Sequence, residues 1–279
     1  RDDLVTGVQT CALPIYRVST EVSLGGVNKV WSLNYVDPYW TDDGVSRGVG
    51  VFYRDYDTKE LNTGDYKSNN YGASIDFGIP LDEFKSFSFG STIDFTELNL
   101  VSTSPQKYLD YCADLSGVGS TSCDANSLMF FVSWADNTVD NPFFPTQGRK
   151  ISFSADVTTP GLDLEYYKIM VKGEQFFPIS SSVTSKIKGS IGFADSYGDE
   201  KFPFFKNFRA GGKNSVRGFK EGSVGKKTYD SNAGGWVTYG GKKMVNLGVE
   251  SYFPLPFVKK SDGYRLSFFV DGGAAFEDS

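Results

Sequence analysis

Apolar and polar residues alternate one for one along most of this chain, in eleven separate segments. In the fourth, Tyr71, Ala73, Ile75, Phe77 and Ile79 stand against Gly72, Ser74, Asp76 and Gly78. In the seventh, Ile151, Phe153, Ala155 and Val157 stand against Ser152, Ser154, Asp156 and Thr158. The pattern recurs over 16–24, 31–35, 49–53, 87–95, 130–134, 167–171, 183–193, 245–253 and 266–270. A period of two marks a β-strand with chemically different faces. Each segment has room for about ten residues, the tilted length that crosses a bilayer, where soluble strands average about five or six.

The connections alternate in kind. Short turns rich in Pro and aromatics recur at Asp37-Pro38-Tyr39-Trp40, Ile79-Pro80-Leu81, Asn141-Pro142-Phe143-Phe144-Pro145, Phe177-Pro178 and Phe253-Pro254-Leu255-Pro256. Between them come loops, two of them long, at about 99–127 and about 195–242. Short turns at one end and longer loops at the other is the pattern of an outer-membrane barrel, and aromatics beside the turns would form an interfacial girdle. A soluble sandwich also tolerates Pro in its turns, but needs neither strands this long nor two such different ends.

Physics assigns the faces. In lipid every backbone group must be paired, so the sheet must close. The apolar face then meets lipid, and the Ser, Gly, Asp and Lys face meets a wet lumen. Lys186, Lys188 and Asp156 would each cost a few kcal/mol on the lipid face at the midplane, and the periodicity of their neighbours places them inside. The expectation is an all-β fold, a transmembrane antiparallel up-and-down β-barrel. Eleven is an odd count and bacterial single-chain barrels use even ones, so the chain reads as about 11 of about 16 strands, with strands missing at both ends.

Composition narrows the choice further. Aromatics make up 16 % of the 279 residues and there are 31 glycines, yet mean hydropathy is negative. No apolar run of about 18 residues exists, so no transmembrane helix is available. The net charge of −6 argues against nucleic acid as a partner. The absence of histidine excludes a Ser-His-Asp hydrolase and a His-ligated metal site. Cys112 and Cys123 lie eleven positions apart in a polar loop. They form either a loop disulfide in an oxidising compartment or two free thiols. No nearby ligand completes a zinc site. Residues 1–15, RDDLVTGVQTCALPI, lack the alternation, and Asp2 and Asp3 sit where a signal peptide carries positive charge. The segment resembles a translated sequencing-adapter peptide and is read as non-native, leaving Cys11 without a role.

The second long loop contains Asn207-Phe208-Arg209-Ala210-Gly211-Gly212-Lys213-Asn214-Ser215-Val216-Arg217-Gly218-Phe219. It resembles the signature of the superfamily of BamA and the two-partner-secretion transporters, in which a loop carrying Val-Arg-Gly-Phe tucks into the barrel. Asp140-Asn141-Pro142-Phe143-Phe144-Pro145-Thr146-Gln147-Gly148-Arg149 and Glu165-Tyr166-Tyr167-Lys168 resemble the family too, and the likeness spans 16–279. Phe269-Val270-Asp271-Gly272-Gly273 matches its Phe-x-Asp-x-Gly strand motif, and Glu250 a lumen-facing acidic position. The resemblance therefore implies a loop lock of Val216, Arg217, Gly218 and Phe219, with wall partners Glu250, Phe269, Asp271 and Gly273.

The chemistry of these residues agrees with that implication. Glu250 and Asp271 lie on the polar faces of consecutive, hence adjacent, strands. A guanidinium bridges two carboxylates with paired hydrogen bonds and packs on an aromatic ring. Gly211, Gly212 and Gly218 let the loop turn sharply. Read from spacing alone, Arg217 is equally a solvated residue at a loop tip.

By resemblance, the expected function is assembly and insertion of other barrels in the bacterial outer membrane. The implied partners are outer-membrane lipids, nascent β-barrel substrates and accessory assembly lipoproteins. Periplasmic POTRA repeats would precede the barrel and are absent from this chain. The implied mechanism is a weakly zipped seam whose free strand edge templates an incoming strand. No cofactor, metal or enzymatic activity is expected. The alternatives are a sibling transporter, TamA-like or of the two-partner-secretion kind, and a passive porin.

Overall fold

The computed structural model describes residues 16–25, 28–58, 65–198, 201–255 and 264–277. The adapter-like 1–15, with Cys11, and the turn residue Pro256 lie outside them. The first strands are β1 (Arg17–Leu24), β2 (Asn28–Asp37), β3 (Ser46–Asp57), β4 (Tyr66–Pro80) and β5 (Lys85–Leu100). A helix, α1 (Gln106–Ser116), and a short strand, β6 (Ser122–Asp124), follow. Then come β7 (Ser127–Asn137), β8 (Gly148–Thr158), β9 (Tyr166–Pro178) and β10 (Thr184–Ser196). A hairpin of β11 (Lys227–Asp230) and β12 (Gly235–Thr238) precedes β13 (Lys243–Pro254) and β14 (Arg265–Phe276).

Eleven of these strands form one continuous antiparallel sheet, each hydrogen-bonded to the next periodic segment in the chain. They are the eleven read from the alternation. The apolar faces point outward with nothing packed on them: Leu247 is 62 % and Ile191 60 % exposed. In water such a surface would be costly, and against acyl chains it is the matching solvent. Tyr39, Trp40, Phe84, Phe143 and Phe177 stand exposed beside the short turns, as a girdle requires. Phe144 is exposed there too, and Arg265 lies 5.1 Å from its ring and donates to the Phe144 and Pro145 carbonyls at 3.2 and 3.3 Å. The turn between β7 and β8 thus reaches the start of β14.

The interior is not filled as a soluble core is. Among the described residues, most of the buried apolar side chains fall into two clusters. The larger lies among the long loops, where Tyr108 and Phe204 stack at 3.8 Å with Tyr66, Tyr111, Leu98 and Tyr166 around them. The smaller joins the second long loop to the sheet, with Phe208 and Ala210 against Ala194, Met244 and Ala275.

The long loops correct the sequence reading. The stretch at about 99–127 is not simply a loop, since β5 extends to Leu100 and α1 and β6 follow. Tyr108, Tyr111, Cys112 and Leu115 recur at helical spacing, and three of them are buried on one face. The helix is capped from outside itself: the Gln106 N–H donates to Asp230 Oδ2 at 3.0 Å, where the helix dipole favours negative charge. Cys112 and Cys123 are disulfide-bonded, tying α1 to β6.

Candidate functional site

The site is built on three neighbouring strands, β10, β13 and β14, whose register lines up their lumen-facing residues in rows. From the long-loop end inward these are Gly192, Met244 and Ala275; Ser190, Asn246 and Gly273; Lys188, Gly248 and Asp271; and Lys186, Glu250 and Phe269. The second long loop descends these rows one after another. Phe208 fills the first: a Cβ on Gly192 would lie 2.5 Å from its ring. The Ser215 hydroxyl takes the second, donating to Asn246 Oδ1 at 3.0 Å. Gly211, Gly212 and Gly218 all adopt positive φ along this path, a region L side chains rarely enter.

Arg217 occupies the last two rows. Its Nε and Nη2 donate to Asp271 Oδ2 and Oδ1 at 2.5 and 3.0 Å, a bidentate pair. Its Nη1 lies 2.9 Å from Glu250 Oε2. Its guanidinium carbon sits 3.6 Å from the centre of the Phe269 ring. The Arg217 N–H also reaches Asp271 Oδ2 at 3.3 Å. Both acids are sunk in the wall, with side chains 1 % exposed for Asp271 and 7 % for Glu250. Breaking a buried pair of this kind costs about 3–5 kcal/mol, and partial hydration of the lumen lowers that figure. Stacking on Phe269 adds about 0.5–2 kcal/mol.

The other residues singled out in the sequence divide in two. Val216 is buried beside Arg217. Gly273 is required by packing, since a Cβ there would meet Asn246 Oδ1 at 2.1 Å. Phe219, by contrast, has an exposed ring and joins the loop through its backbone, its carbonyl accepting from the Gly212 N–H at 3.1 Å. Cys112 and Cys123 belong to the cap formed by the long loops and not to the lock. No cluster able to hold a metal ion occurs among the described residues.

Three participants escaped the sequence reading. Lys188 Nζ lies 3.3 Å from Asp271 Oδ1, and Lys186 Nζ 3.6 Å from Glu250 Oε2. Gly248 stands between Lys188 and Asp271, and a Cβ there would come within 2.5 Å of both side chains. Both lysines were legible as lumen-facing, but their partners depend on the register between β10 and β13, which a long loop separates in sequence.

A second arginine holds the same loop from above. Arg209 donates to the Thr238 carbonyl at 3.4 Å and shares hydrogen bonding and charge with Tyr108 of α1, which also moves the tyrosine: burial first pushes the Tyr108 hydroxyl pKa up, and the guanidinium opposes that. Asp230 closes the cap. Burial pushes its carboxyl up, but donors from Ala233, Tyr239, Gln106 and Asn232 together hold it below the ordinary carboxylate value.

A lipid-facing antiparallel wall, a polar interior and a long loop pinned inside by an arginine define an outer-membrane β-barrel with an inward-folded locking loop. The chain belongs to the Omp85 superfamily, whose domain model matches residues 16–279. It is 34 % identical over 251 residues to the outer membrane protein assembly factor BamA of Neisseria meningitidis serogroup B, covering 88 % of this chain and 31 % of that protein. A SAM50-like protein of Schizosaccharomyces pombe is 26 % identical over 146 residues, half of this chain and 30 % of the relative. The fold superposes on crystalline BamA from Haemophilus ducreyi lacking POTRA domains 1–3 with a TM-score of 0.85. That match has 28 % identity over 94 % of this chain and 52 % of the other. The chain thus spans about a third of the length of the curated relatives it matches.

Proposed function

We propose that this chain is the wall-and-lock portion of a factor that assembles β-barrel proteins into the bacterial outer membrane. The observation that carries the reading is Arg217, delivered by a loop to two acids on adjacent strands of the lumen wall. Similarity to the Neisseria assembly factor over 88 % of the chain supports it. In this reading the substrates are nascent barrels. Lipids surround the wall, and accessory lipoproteins act with the full-length protein. The work is templating at a strand edge, where an incoming strand satisfies its backbone by pairing. No catalytic group takes part. The lock keeps the loop, and with it β10, β13 and β14, in one arrangement while another part of the cylinder opens.

The test is replacement of the native assembly factor by the full-length protein carrying Arg217→Glu. The expected outcome is a clear loss of folded outer-membrane barrels and of heat-modifiable gel mobility. Adding Asp271→Arg restores one opposite-charge pair and recovers part of both. Unchanged assembly and mobility in Arg217→Glu would remove the lock from the mechanism. A passive porin would keep barrel biogenesis independent of Arg217.

A further inference from the structure

The wall acids are not left bare when the loop is taken away. Glu250 and Asp271 each have two cationic partners, one from the loop and one from β10. Arg217 serves both acids, while Lys186 serves Glu250 and Lys188 serves Asp271. Two facts make the lysines part of the wall. They project from a membrane-spanning strand directly paired with β13. Lys188 reaches Asp271, two strands away, only because Gly248 between them has no side chain.

From this we infer that Lys188, seconded by Lys186, is a resident counter-ion that makes the loop lock reversible. It is a positioning residue of the wall and not merely a further clamp on the loop. Two carboxylates sunk in a wall and stripped of their only cation would repel and desolvate poorly, so withdrawing Arg217 would be strongly resisted. With Lys188 3.3 Å from Asp271, loop withdrawal exchanges three ionic partners for two and leaves neither acid alone. The latch holds the loop at rest and lets it leave during a conformational cycle. Lys188 also approaches the Ser215 carbonyl of the loop at 3.5 Å, the long end of hydrogen bonding. A purely clamping role would rest on that contact, and it predicts the opposite outcome.

The inference rests on the lock reading above, and the two can fail separately. The experiment uses full-length protein in outer membranes, with Val216→Cys as the reporter. Val216 is buried in the locked loop, the disulfide-bonded Cys112 and Cys123 do not react, and any Cys11 is replaced by serine. The rate of maleimide labelling reads how often the loop opens. Arg217→Ala is expected to speed labelling; if it does not, the lock itself fails. Lys188→Met should slow labelling about tenfold in the presence of Arg217, the scale of a strong pairwise coupling, and change it by less than about twofold in the Arg217→Ala background. Lys188→Gln, uncharged but still a donor, should act like Met. The inference is overturned if Lys188→Met speeds labelling, leaves it unchanged, or slows it equally in both backgrounds. It is also overturned if Gln behaves like the native lysine. Heat-modifiable mobility of each variant establishes that it has folded.

Discussion

The loop lock is held by residues of very different visibility. Glu250 and Asp271 were legible as inward-facing acids because charges on membrane-crossing strands must avoid lipid, but Arg217 was legible as their partner only through the family resemblance, since spacing alone leaves it equally a solvated loop-tip residue. Gly273 was legible as the last residue of the strand motif, and Gly248 only as a glycine. Their steric reason appears once register is known: Gly248 lets Lys188 and Asp271 meet across β13, and Gly273 leaves room for the Asn246 side chain beside it. Phe219 shows the converse, a motif residue whose ring makes no lock. Adjacent glycines on β14 offer a controlled test. Gly273→Val would force a branched side chain into Asn246 Oδ1 and the Val245 carbonyl, whereas nothing lies within 4 Å of a Cβ on Gly272. Gly273→Val should therefore displace Asn246 from Ser215 and lower the temperature of the heat-modifiable transition. Gly272→Val should leave it close to that of the parent.

The strands were readable because their period of two runs over whole membrane-crossing lengths. The elements of the cap were not. α1 carries its apolar residues at helical spacing, yet it sits inside a polar stretch between strands and is completed by contacts distant in sequence. Asp230 caps it from 124 residues away, and Cys123 ties it down through the disulfide. The β11–β12 hairpin has only four residues in each strand, too few for alternation to register. Asp230 links the two, and its depressed pKa fixes the sign of the response to acid. Its stabilising contribution is complete above the ordinary value of 3.8 and is lost as pH falls through the lower folded value. Hydrogen exchange in α1, corrected for the intrinsic pH dependence, should rise over that range in the parent. Asp230→Asn should raise exchange at neutral pH and flatten the response to acid. Equal exchange in parent and variant at neutral pH would show that the cap does not rest on this carboxylate.

For the molecule as a whole, lipid outside and loop inside are one statement about side-chain direction. A strand has two faces: backbone pairing in the bilayer closes the sheet, and the cost of charged side chains against lipid fixes which face is wet. The wet face of β10, β13 and β14 is then a template: an apolar row for Phe208, a hydrogen-bonding row for Ser215, and two ionic rows for Arg217. The loop lies on it in one direction and one register, Phe208 nearest the long-loop end and Arg217 deepest. Cysteines at Ser215 and Asn246, whose side-chain oxygens lie 3.0 Å apart, test this arrangement in the assembled protein. In outer membranes under mild oxidation, the Ser215→Cys, Asn246→Cys pair should cross-link rapidly and nearly completely, and adding Arg217→Glu should slow the reaction severalfold. No cross-link, with both thiols freely labelled in protein that is otherwise folded, would mean that the loop does not lie against this wall.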